Sequence, residues 1–302
     1  MHITGESASY TTELDQPILA AVDGSASSYQ AAAWAAVEAA LHRRRLHILT
    51  SVAIPTGFGP GALLTEDDTE SLRRSGERIV AEATSVTRTA APGADLAITT
   101  EVTFELIPAT LIERSTHARM LVVGSRGVGA FQRGLLGSVS TAVTHHAHCP
   151  VAVIHGMSAI DAVSAMQPVL VGVEGSANSV PAVEIAFEEA SRRKVDLIAL
   201  HAWSDTSGID LPVAGWDASH DVAEALLSES LAGFGERYPD VAVHRITVAD
   251  RPVRALLDQS GNAQLVVVGS HGRGGFSSML LGSTSNSLLH SLEVPMIVVR
   301  SH

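Results

Sequence analysis

Gly124, Gly127, Gly137 and Ser138 form the pattern G-x2-G-x9-G-S, and it recurs at Gly269, Gly272, Gly282 and Ser283, each 145 positions later (124 to 269, 138 to 283). In both places the pattern follows an apolar run, MLVVG or QLVVVG, and opens a helical segment. That arrangement suits a phosphate. Glycine lets a backbone approach a ligand closely, and the free N–H groups of a helix start carry partial positive charge. Two copies in register predict two nucleotide sites. Tight turns followed by a helix cap are the plainer use of the same residue types.

Other chemistries have less support. No lysine completes a G-x4-G-K-[ST] loop, so the chain is not a P-loop NTPase. Cationic help for phosphate would have to come from Arg126 and Arg133, or from Arg273 in the second copy, where His271 replaces Arg126. A dinucleotide fingerprint would follow the first strand, whereas these glycines follow the fourth, which disfavours NAD. Neither G-x-S-x-G nor H-E-x-x-H is present, which removes those hydrolase chemistries. His145, His146, His148 and Cys149 are ligand types for zinc. The repeat puts His290, Ser291, Glu293 and Val294 in their places, so Cys149 is expected to pack as an apolar residue and no metal site is expected. Asp67 and Asp68 fit an exposed helix start.

The elements that must position the glycines also repeat. PILAAVDGS at 17–25 matches PVLVGVEGS at 168–176, an offset of 151, and CPVAVIH at 149–155 matches VPMIVVR at 294–300. Short β-branched runs alternate with longer helical patterns, the mark of a parallel sheet with crossover helices. Strands are expected near 17–22, 46–53, 96–103, 119–123 and 150–155, then 168–173, 196–203, 241–248, 264–268 and 295–299. Helices are expected near 27–43, 66–90, 107–117 and 138–147, then 178–194, 217–237, 252–262 and 283–292. A loose tail to residue 16, a first domain over 17–156, a linker over 157–167 and a second domain over 168–302 follow. The Gly- and Pro-rich stretches IPTGFGPGALL and SDTSGIDLPVAGW would either lid the pockets or bridge to the next helix.

Composition sets the outer bounds. The 302 residues, 46% of them apolar, suffice for two ordinary cores. Against 20 basic residues stand 32 acidic ones, a formal charge of −12, which opposes binding to a nucleic-acid backbone. A single cysteine fits a reducing compartment, and no apolar run is long enough to span a membrane. A cytoplasmic protein is expected.

VDGS after the first strand, VVGSRGVGAFQRGLLGSVS after the fourth and CPVAVI as the last strand resemble a universal stress protein domain, and the resemblance covers Pro17 to Arg300 twice. It implies two tandem flavodoxin-like α/β domains, each a five-stranded parallel sheet of order 3-2-1-4-5, and ATP as the ligand, with or without Mg2+. Position by position, it implies that Gly124 and Gly127 line the loop against ribose and phosphates. It further implies that Gly137, Ser138 and Val139 offer backbone N–H groups and a hydroxyl. The second-half counterparts are Gly269, Gly272, Gly282, Ser283 and Thr284. It also implies an acid at the nucleoside end, Asp23 or Glu174, and adenine read by main chain around Ser51 and Ala202. Glutamate in place of aspartate moves the carboxylate one methylene outward, so its hydrogen bond must be rebuilt or lost, and the second site is the doubtful one.

The reading that follows is a nucleotide-dependent regulator of stress response or growth, with an unidentified protein partner, a possible homodimer, and hydrolysis that is slow at most. A slow ATPase or phosphotransfer protein using Ser138, and an adaptor that has lost nucleotide binding, are the alternatives. The apolar final strands CPVAVIH and VPMIVVR fall at sheet edges in the implied order, so the two halves are expected to pack through them or the adjoining helices about a pseudo-twofold axis.

Overall fold

The computed structural model describes residues 16–52, 65–127, 136–155, 163–203, 216–272 and 281–300. The N-terminal tail, most of the linker, nearly all of both Gly- and Pro-rich stretches, and Arg133 and Arg273 lie outside the described residues.

In the first half, strands β1 (Ile18–Ala21), β2 (Leu46–Ser51), β3 (Ile98–Thr103), β4 (Met120–Gly124) and β5 (Val151–Ile154) alternate with helices α1 (Ala26–Leu41), α2 (Glu66–Ala90), α3 (Ile107–Arg114) and α4 (Ser138–His146). The second half repeats them as β6 (Val169–Gly172), β7 (Leu197–Ala202), β8 (Val243–Val248), β9 (Leu265–Gly269) and β10 (Met296–Val299). Its helices are α5 (Val180–Arg193), α6 (Trp216–Leu231), α7 (Phe234–Arg237), α8 (Pro252–Ser260) and α9 (Ser283–Ser291). The helix expected over 107–117 ends as a 3-10 turn over Ser115–His117, and another helix departs further from the expected list. The helix expected over 217–237 breaks before Gly233, which adopts φ +82°, a left-handed conformation that ends a helix readily when the residue lacks a Cβ.

All ten strands form one sheet of order β3-β2-β1-β4-β5-β10-β9-β6-β7-β8. Each half therefore has the 3-2-1-4-5 order with parallel neighbours, and the halves join through one antiparallel pair, Met296 beside Val153 and Val298 beside Val151. The final strands have no bare edge. Burial explains the order: β1, β4 and β5 are buried throughout, as continuous apolar runs covered on both faces must be, whereas β3 and β8 carry half-exposed polar residues and stand at the rims. Alternation along each strand sends Ile18 and Ala20 into one apolar layer with α1 and α5, and Leu19 and Ala21 into the other with α4 and α9. Both layers run unbroken across the two halves.

Alanines dominate the buried side of α1, including Ala31, Ala32, Ala35, Ala36 and Ala39. Against the sheet and α5 they leave room for a buried cluster of charges. Glu38 of α1 and Glu189 of α5 are pseudo-twofold equivalents (38 to 189, an offset of 151), as are His42 and Arg193 (42 to 193). His42 Nε2 lies 2.9 Å from a carboxylate oxygen of both Glu38 and Glu189, and Arg193 reaches the two at 2.5 and 3.0 Å. Burial alone would lower His42, but the hydrogen bonds it donates to Glu188, Glu189 and Glu38 raise it to about 11. Burial would likewise raise Glu38, yet Arg193 and His42 hold it down at about 2. Burial and the Glu38 charge raise Glu189. Charges on both halves thus compensate one another where solvent cannot.

Candidate functional site

Beyond the carboxyl ends of β6 and β9 lies a cavity of about 400 Å³, the size of a small-ligand pocket. Its walls include all seven residues singled out in the second half: Glu174, Ala202, Gly269, Gly272, Gly282, Ser283 and Thr284. Val173, Leu200, Leu256 and Val268 add an apolar side. An open parallel sheet makes its crevice here, where connections leave a central strand in opposite directions.

The cradle is built the same way in each half. The strand turns at Ser125 or Ser270, and the chain returns so that Gly137 N–H donates to Ser125 O at 2.8 Å and Gly282 N–H donates to Ser270 O at 2.7 Å. One turn into each helix, Ser140 Oγ donates to Gly124 O and Ser285 Oγ to Gly269 O, both at 2.6 Å. Those two serines escaped the sequence reading, although the paired spellings GSVS and GSTS contain them. Gly137 and Gly282 stand at the N-caps in extended conformation. Among the described residues, no side chain therefore caps the first backbone N–H groups of α4 and α9, the kind of helix start that suits an anion.

The glycines are needed for different reasons. A Cβ on Gly127 would lie 2.4 Å from Asp23 Oδ2, and one on Gly272 would lie 2.2 Å from Glu174 Oε1. The loop therefore rests against the carboxylate in both halves. A Cβ on Gly124 would instead meet the Ser27 backbone at 2.9 Å, a requirement of packing between β4 and the start of α1.

At the acid, the halves differ. Asp23 Oδ1 accepts from Ser25 N–H at 3.0 Å, leaving the Ser25 hydroxyl to cap α1 by accepting from Ser28 N–H. Glu174, longer by a methylene, accepts at Oε2 from the Ser176 hydroxyl at 2.8 Å, and the Ser176 side chain caps nothing. The chain there enters α5 through a 3-10 turn over Ala177–Ser179. Within the chain, each carboxylate thus takes a donor from the serine two residues on, a backbone N–H in the first half and a hydroxyl in the second.

Other expected residues divide by what they contribute. Ser51, at the end of β2, donates its hydroxyl to Glu105 O at 2.6 Å, so its side chain serves the β3–α3 connection. Val139 packs its side chain on the apolar layer, which leaves only its backbone for a ligand. Arg126 lies close enough to His155 to help lower its pKa, after burial, the larger cause. Cys149 is buried, and burial pushes its thiol up to about 12, as an inert core residue requires. Asp68 completes a capping box with Thr65 at the start of α2.

Comparison with known proteins agrees with this architecture. The sequence model of the universal stress protein family matches residues 16–155 and again 166–300. The universal stress protein Rv2005c of Mycobacterium tuberculosis is 46% identical over 285 residues, spanning 94% of this chain and 96% of its own. Rv2623 of the same organism, also a universal stress protein, is 40% identical over 293 residues with the same coverage. Among solved structures, a universal stress protein from Archaeoglobus fulgidus superposes with a TM-score of 0.66 at 21% identity, covering 94% of this chain and 98% of that one, a likeness of fold. With two matched domains and relatives aligned along nearly its whole length, the chain belongs to the universal stress protein family.

Proposed function

We propose that the protein binds ATP in each half and acts as a nucleotide-dependent regulator of stress response or growth. The observation that carries this reading is the second-half cavity, in which an uncapped helix start, a glycine loop and a carboxylate face one space. Phosphates suit the N–H groups of Ser283 and Thr284, where the helix dipole favours negative charge, while Gly282 spends its own N–H on Ser270 O and closes the turn beside them. The apolar side suits a base, and Glu174 suits ribose hydroxyls or base N–H groups, which donate. Ser138, Val139 and Asp23, with Gly137 closing the turn, offer the first half the same means. Ala202, and Ser51 in the first half, stand at the strand ends where main chain would read adenine.

Regulation is favoured over catalysis because phosphoryl transfer needs a positioned nucleophile, a metal and charge clamps, and the cradle supplies mainly backbone dipoles. Mg2+ would be carried in with the ATP. A cytoplasmic location fits the single buried cysteine and the absence, among the described residues, of any helix long and apolar enough to cross a membrane. Because β5 and β10 already pair within the chain, a homodimer would have to use another surface.

Mass spectrometry of whatever is released on denaturing freshly purified protein tests the reading. ATP or a close relative is expected, and calorimetry should find ATP binding after its removal. A protein that carries no nucleotide and binds none would leave the adaptor reading. Turnover at about 1 per second or faster, abolished by Ser138→Ala with binding intact, would make it an enzyme.

A further inference from the structure

The last strand of each half is followed by a polar side chain that crosses into the other half. His155, directly after β5, bonds through Nε2 to Leu289 O at 2.9 Å. Arg300, directly after β10 and 145 positions later (155 to 300), donates from its guanidinium to His145 O. Leu289 belongs to α9 and His145 to α4, the two helices whose starts form the cradles. Antiparallel register brings this about. With Val298 beside Val151 and Met296 beside Val153, each strand's end is carried to the level where the other begins, just after the preceding helix has stopped.

The contacts have a chemical purpose at those helix ends. Carbonyls in the last turn of a helix have no partner within it, and a donor there, above all a cation, is favoured by the dipole. Burial lowers the His155 pKa. It is therefore a neutral donor, whereas Arg300 is a permanent charge.

We propose that His155 and Arg300 are positioning residues for the phosphate cradles, each acting on the site of the opposite half, so that the two nucleotide sites are coupled through α4 and α9. This rests on the nucleotide reading above. Each helix has nine residues, a rigid rod about 13 Å long. Its start is tied to its own half by the Gly137 and Ser140 bonds, or those of Gly282 and Ser285, while its last turn is held by a side chain of the other half. A phosphate that draws in the N–H groups at one end loads the contact at the other, and the paired strands β5 and β10 connect the two contacts.

Calorimetric ATP titration in single-site backgrounds tests the crossing. With the second site blocked by Gly272→Asp, Arg300→Ala should weaken the first site about fivefold, the low end for coupled sites, and more than His155→Ala does. With the first site blocked by Gly127→Asp the ranking should reverse. Arg300→Lys, which can still donate to the carbonyl, should recover most of the loss. Equal losses at both sites, effects confined to each residue's own half, or no effect while ATP binds would overturn the proposal. A parent protein that binds no ATP would overturn the nucleotide reading instead, and this inference with it. Should an alanine variant fail to fold by circular dichroism, Arg300→Met and His155→Phe, which keep bulk without the donor, are judged by the same criterion.

Discussion

Gly124 and Gly127 sit three residues apart in one motif, yet a methyl group would meet different things at each. At Gly127 it meets the tip of Asp23, which can swing away; at Gly124 it meets the Ser27 backbone, which cannot. Gly127→Ala should therefore fold with near-parental stability while displacing the carboxylate, weakening ATP at the first site up to about tenfold for one hydrogen bond. Gly124→Ala should lose about 1–3 kcal/mol of stability through overpacking. Chemical denaturation paired with calorimetry checks both, and the assignment fails if the two variants behave alike. Glu174 makes a second residue-level prediction. Its carboxylate stands one methylene further out than that of Asp23 and is turned to the Ser176 hydroxyl instead of a backbone N–H, so the second site is expected to bind ATP less tightly than the first. Glu174→Asp should narrow the gap, and equal affinities in the parent would count against this.

At the scale of elements, α1 and α5 meet through Glu38, His42, Glu189 and Arg193, and this contact gives stability a pH dependence. His42 titrates at about 11 in the folded chain against an ordinary 6.5. Its contribution is complete below pH 6.5 and declines as pH rises toward 11. Glu38 and Glu188, each held at about 2 against 4.5, contribute above pH 4.5 and lose that contribution as pH falls toward 2. Glu189, raised by burial and by Glu38, opposes part of the acid loss. Removing the imidazole in His42→Gln leaves two buried carboxylates to one guanidinium and should cost about 3–5 kcal/mol. The parent's melting temperature should fall between pH 7 and pH 9 by more than the variant's does. Parallel curves for the two proteins would show that His42 carries no such linkage.

Across the whole molecule, the β5–β10 pair turns two five-stranded halves into one sheet, and it does so with apolar residues on both sides: Val151, Ala152 and Val153 against Met296, Ile297 and Val298, all buried. A half expressed alone would bare that strand as an apolar edge, which invites pairing. Either half in isolation is expected to form a homodimer through its own final strand, imitating the partner it has lost. Light scattering after gel filtration reads this directly. A monomeric, soluble half would mean that the edge is protected by something other than its partner strand.

The amino-acid sequence by itself determined the two-fold repeat, the ten strands and the glycine cradle, because each is written locally: apolar runs set the central strands, and spacing along one loop sets the cradle. Even the rims could be read, since β3 and β8 mix Thr, Glu, His and Arg into their runs. Tertiary structure alone decided which side chains face each other across distant segments. Nothing around Glu38 or His42 announces a buried ion cluster, because its other members lie about 150 residues away, and a charged residue in a helix ordinarily faces water. Ser25 and Ser176 occupy matching places in the repeat, yet only Ser25 caps its helix, while the Ser176 hydroxyl donates to the longer Glu174. His155 and Arg300 read as strand ends, and only the antiparallel register of β5 and β10 carries them to the helices of the opposite half.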